Sequence, residues 1–128
     1  MQVEAEFLLA LAVTIAIETG VLLLGWRWFG AGVKPRWTRL ALAGVVPSAL
    51  TMPYLWFILP RFVNGAAYVP LGECLVVLAE APVLAAVLGW RPGRALLASL
   101  LCNLASFLLG PMACRPLNAL FDLPALGP

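Results

Sequence analysis

The stretch LGECLVVLAEAPVLAAVLGW, Leu71–Trp90, decides the fold. It holds no basic residue and has the roughly 20 residues that a helix rising about 1.5 Å per residue needs to cross about 30 Å of hydrocarbon. Three other stretches share its length and character: Phe7–Trp26, Leu40–Leu59 and Ala95–Ala113. The connections Arg27–Arg39, Pro60–Pro70 and Arg91–Arg94 are too short to hold a soluble domain. The expected fold is therefore all-α: one polytopic bundle of four transmembrane helices, followed by an interfacial tail over residues 114–128. A β-barrel needs strands of about 10 residues with alternating polarity, and these runs are longer and continuous.

Composition agrees. Of 128 residues 63% are apolar and 11% charged, and the mean hydropathy is +1.00. Soluble domains carry about 25% charged residues, so this chain cannot cover a water-facing surface. A net charge of +2 gives no basic footprint, which excludes nucleic acid as a partner. Met1–Glu6 holds two acids and no base, the reverse of the positive start of a signal peptide.

Basic residues set the expected orientation. Arg27, Lys34, Arg36 and Arg39 lie in the first connection, and Arg91 and Arg94 in the third. The second connection has Arg61 and the tail Arg115. The bias places the first and third connections in the cytoplasm and both termini outside, in an inner membrane. Trp26, Trp28, Trp37 and Trp90 then gather at one interface, with Tyr54, Trp56, Phe57 and Tyr68 toward the other.

Three acids fall within the spans: Glu18, Glu73 and Glu80. Intramembrane acids are costly and point to function by default. Glu73, near the end of its span, is expected to be an interfacial anchor pairing with Arg61 or Arg115. Glu80 lies at mid-span, where a central acid costs about 3 kcal/mol of insertion free energy against about 4 kcal/mol gained from the Leu and Val residues. It is expected to face other helices. Ser99, Asn103, Ser106 and Gly110 share one face of the last helix, with Asn103 at a depth close to Glu80. Thr14 and Glu18 share a face of the first helix, and Ser48 and Thr51 one of the second. These groups can form one polar layer holding two carboxyls and no positive charge, which favours protonated Glu80 and Glu18. A protonated Glu80 is expected to donate to the Asn103 carbonyl oxygen and accept from its amide. Pro82 frees the Leu78 carbonyl as a further acceptor.

Small residues repeat at four-residue spacing in Ala12/Ala16/Gly20, Ala81/Ala85/Gly89 and Gly44/Ser48, which lets helices approach closely. The first set lies opposite Thr14/Glu18, so that helix is expected to have neighbours beyond this bundle. Histidine is absent, which removes the usual haem ligand and most zinc sites. No phosphate-binding loop or Ser/His/Asp set is present either. No cofactor and no metal is expected. Cys74 and Cys114 both fall near the outer face, where a disulfide is conceivable, and Cys102 reads as a small core residue. The size and four-span plan resemble the small bacterial fluoride channels, but their characteristic motifs are absent and no function carries over.

The expected function is that of a small subunit, in a homo-oligomer or with other membrane subunits. Its Glu80/Asn103 layer, with Glu18, Ser106 and Ser99, handles a proton or small cation. Two alternatives remain: an accessory or assembly subunit whose polar layer only fixes packing, and a membrane enzyme acting on lipid.

Overall fold

The computed structural model describes residues 2–29 and 34–120. They form four long helices: α1 (Gln2–Phe29), α2 (Trp37–Pro53), α3 (Tyr68–Leu88) and α4 (Pro92–Leu120). Each belongs to a segment long and apolar enough to cross a membrane, α2 with its helical continuation to Arg61. Lipid offers backbone groups no partner, so helices that bond internally are what such segments form. Consecutive helices run antiparallel, and each packs on two neighbours, α1 against α2 and α4, and α3 against the same two. Exposed apolar side chains such as Leu8, Leu24, Leu50, Leu78 and Leu108 line the outside. This is the surface of a multi-pass membrane protein in contact with lipid.

Prolines account for where the helix limits differ from expectation. Pro70 lies in the first turn of α3 and Pro92 opens α4. First-turn amides have no intrahelical acceptor, so proline costs little there, and both helices begin before the expected spans at Leu71 and Ala95. Pro111 and Pro116 lie on the exposed side of α4, which continues through them to Leu120. The first part of the expected tail is therefore helix, while residues 121–128 lie outside the described residues. Gly89 ends α3 in the left-handed region at φ 69°, and the Trp90 amide returns to the Ala85 carbonyl at 3.1 Å.

The bundle is packed differently at its two ends. At the end with the basic connections, Leu22, Leu40, Ala43, Leu84, Leu88, Ala95, Ala98 and Cys102 form one buried apolar cluster, and Trp26 and Trp90 close it with ring centroids 5.4 Å apart. At the other end α2 loses its regular ladder after Pro53. A wide π turn follows at Tyr54–Ile58, where the Leu59 amide donates to the Tyr54 carbonyl, and then a tight 3-10 turn at Leu59–Arg61. The turn brings Trp56 and Phe57 onto Phe7 of α1, at centroid distances of 5.7 and 5.1 Å.

Gly44 and Ser48 pack α2 directly on α1, and a Cβ built at Gly44 would fall on the Thr19 hydroxyl. At Gly20, on the outward side of α1, a Cβ would meet nothing within 4 Å. Gly44→Ala is accordingly predicted to cost about 1–3 kcal/mol of stability, while Gly20→Ala is neutral or slightly stabilising. Reversible unfolding in mixed micelles checks this. Equal effects at the two positions would contradict the close α1–α2 approach.

Candidate functional site

Midway along the bundle the four helices each turn polar side chains inward. Glu18, Glu80, Ser48, Ser99 and Asn103 are all buried, with Glu80 at 2% exposure and Glu18 at 3%. Glu18 of α1 accepts a short hydrogen bond from the Ser48 hydroxyl of α2 and a second, at 3.2 Å, from Ser106 of α4. Glu80 of α3 accepts from the Thr51 hydroxyl of α2 at 2.7 Å and from the Asn103 amide of α4 at 2.7 Å. Ser99 donates to the Val77 carbonyl at 3.0 Å and ties α4 to α3. All five expected layer residues, Glu18, Glu80, Ser99, Asn103 and Ser106, therefore meet in one place.

The partners differ from expectation in one respect. Asn103 does not offer its oxygen to Glu80, because its amide nitrogen is also anchored on the Ser99 carbonyl at 2.9 Å. Both acceptors face the same nitrogen, so Asn103 is a fixed donor to Glu80. The group opposite the other Glu80 oxygen is Thr51, whose place beside Pro47 brings it into the layer.

The three hydroxyls have a property the amide lacks. Each carries one proton to donate, and each lies near two acceptors. Thr51 is 3.1 Å from the Pro47 carbonyl, Ser106 is 3.0 Å from the Asn103 carbonyl, and Ser48 is 3.5 Å from the Gly44 carbonyl. An ionised carboxylate can draw the hydroxyl proton toward itself. A protonated carboxyl can instead donate to the hydroxyl oxygen, with the hydroxyl proton turned to the backbone. Both charge states fit the same heavy-atom positions.

Other expected contributors lie elsewhere. Leu78 is 64% exposed and Pro82 is exposed, so the freed Leu78 carbonyl lies on the outer side of α3 and adds nothing to the layer. Glu73 is half-buried and lines a cavity, while Arg61 is exposed at the end of the α2 extension. Cys74 is exposed, Cys102 and Cys114 are buried, and all three are free thiols. Cys74 faces outward while Cys114 faces the bundle, which accounts for the absence of a bond between them.

The cavity holds about 220 Å³ and is bounded by all four helices. Its walls include Thr14, Thr51, Tyr68, Glu73, Glu80, Asn103 and Ser106. Tyr68 bonds the Leu55 carbonyl of the π turn at 2.7 Å. A second cavity, of about 520 Å³ between α1 and α4, shares Thr14, Ser106 and Phe107 with the walls of the first and extends to Arg115 and Asn118. Tyr68 and Asn118 both fall at interfacial positions in the sequence, so nothing in their spacing marks them as cavity walls. Among the described residues no group of three or more His, Cys, Asp or Glu side chains could hold a metal ion.

Double-mutant cycles test the pairing. Thr51→Val with Glu80→Leu, and Ser48→Ala with Glu18→Leu, are predicted to couple by about 0.6–1.7 kcal/mol, the range of hydrogen bonds between membrane helices. The crossed pair Ser48→Ala with Glu80→Leu is predicted to show almost none. Strong coupling in the crossed pair would contradict the two separate clamps.

Comparison with known proteins gives no match to a family model, to a curated protein or to a solved structure.

Proposed function

We propose that this chain is a small four-span subunit of an inner-membrane oligomer or larger membrane complex, and that its Glu18/Glu80 layer binds and releases a proton. The observation that carries this is the set of hydroxyls around the two carboxyls, each with a second acceptor on the backbone. Such a layer accommodates a carboxyl with or without its proton. All four donors are neutral. An ionised carboxylate buried without a countercharge is expensive, which favours holding a proton in the resting state. A metal cation is less well served, because the surrounding groups aim donors at the carboxylates where a cation needs more acceptor oxygens.

Four helices are too few for the rocking repeats of an alternating-access transporter, so any transmembrane path is completed by partners. The outward side of α1 supports this, since Ala12 and Ala16 are exposed and Gly20 faces open space. We place both chain ends outside the cytoplasm on the bias of basic residues toward the other end.

A structural role for the layer is the second reading, favoured by the hydrogen bond that each carboxyl oxygen of Glu18 and Glu80 accepts within it. Asn118 Oδ1 is the buried side-chain oxygen left without a partner among the described residues, and it lies outside the layer. An accessory or assembly subunit needs such a paired layer to fix helix depth.

Infrared difference spectroscopy in bilayers separates the two. Wild-type protein is predicted to show a protonated-carboxyl stretch that falls as pH rises, and Glu80→Gln to lose part of it with helicity and assembly intact. No pH-dependent band, with a folded and assembled protein, would leave only the structural role.

A further inference from the structure

The proton site is open toward one end of the bundle and closed toward the other. Glu73 and Glu80 lie on one face of α3, two turns and about 10.5 Å of helix rise apart. Both line the 220 Å³ cavity, with Thr14, Thr51, Tyr68, Asn103 and Ser106 supplying further polar walls. A water occupies about 30 Å³ of liquid and needs two to four polar partners, so the cavity accepts several waters between the two carboxyls. In the opposite direction, Ala95 and Ala98 are 0% exposed, Leu22 1% and Leu84 2%. From Asn103 to Ala95 is about 12 Å of depth, filled by this apolar cluster and closed by Trp26 and Trp90.

We infer that protons reach Glu80 only from the end of the bundle that carries Glu73 and Tyr68, and that Glu73 is the carboxyl that takes them in. The inference rests on the proton-binding role proposed above and adds its sidedness. A proton from bulk water binds Glu73, passes through cavity water and arrives on the Glu80 oxygen facing Thr51. The Thr51 hydroxyl turns to the Pro47 carbonyl as the proton arrives, and release runs the same steps backward. The titratable groups around Glu80 are Glu18 from α1, Glu73 and Tyr68 on α3 itself and Cys102 from α4, while α2 presents the Thr51 hydroxyl. Arg115 lines the second cavity, which touches the layer at Ser106, a partner of Glu18, and has neither Glu80, Thr51 nor Asn103 in its walls.

Hydrogen–deuterium exchange of the Glu80 carboxyl, read as the shift of its infrared band after transfer to D₂O, tests the path. The band is assigned by its loss in Glu80→Gln. Glu73→Gln is expected to slow its exchange on the order of a hundredfold, the low end of what a placed acid–base group contributes to proton transfer. Val76→Phe, which fills space between the two carboxyls without altering either, is expected to slow it likewise. In a background with Cys74, Cys102 and Cys114 replaced by alanine, a small water-soluble thiol reagent is expected to label Val69→Cys and spare Leu22→Cys. Exchange unaffected by both Glu73→Gln and Val76→Phe, or labelling of Leu22→Cys as fast as Val69→Cys, overturns the one-sided path while leaving the proton site in place. Absence of any Glu80 band overturns the proton site itself.

Discussion

Two carboxyl groups enclosed in an apolar bundle, with only neutral donors around them, constrain everything else in this structure. A carboxyl buried at this depth costs several kcal/mol if it is left without a hydrogen-bond partner. Every partner of Glu18 and Glu80 comes from another helix. The pairings therefore fix the helices in depth and rotation as well as satisfying the acids. The contact of Ser48 with Glu18 in turn needs α2 to lie very close to α1, which the bare backbone of Gly44 allows. One layer thus determines the crossing of the first two helices and the register of all four.

The unequal ends of the bundle follow from where small residues and prolines fall. On the basic side, Ala43, Ala95, Ala98 and Cys102 let the helices close around Leu22 and Leu84. On the other side Pro53 interrupts α2, and the π turn that follows swings Trp56 and Phe57 toward α1. The space between the four helices becomes a polar-lined cavity, and the carbonyl of Leu55 in the wide turn is met by Tyr68. A π turn beside a buried acidic site fits the general association of such turns with function.

The sequence showed the four spans plainly, because continuous apolar runs of membrane length have almost no other interpretation. The polar layer was legible too: Ser99, Asn103 and Ser106 fall on one face at the depth of Glu80, and membrane burial leaves such groups no choice but to face inward. What spacing could not reveal was which donor meets which acid. Glu18 and Glu80 lie on helices that do not pack directly, so their partners depended on the order of the helices around the bundle. The orientation of Asn103 was hidden for a related reason, since a backbone carbonyl of its own helix fixes it. Glu73 was expected at the interface from its depth, and depth alone does not say that a residue near a helix end also lines a cavity. The π turn left no signal beyond Pro53, whose presence marks an interruption and not its shape.

On the function proposed here, the layer holds an exchangeable proton between two charge states that share one heavy-atom framework. Solid-state NMR of protein labelled with ¹³C in its glutamate carboxyls, in lipid bilayers, reads the charge state of each acid directly. The Glu80 carboxyl carbon is predicted to move from its protonated to its ionised position as pH rises, while the Thr51, Asn103 and Ser106 backbone shifts stay nearly fixed. A Glu80 carbon that keeps one charge state across the whole stable pH range, or one whose ionisation unfolds the surrounding helices, would contradict it.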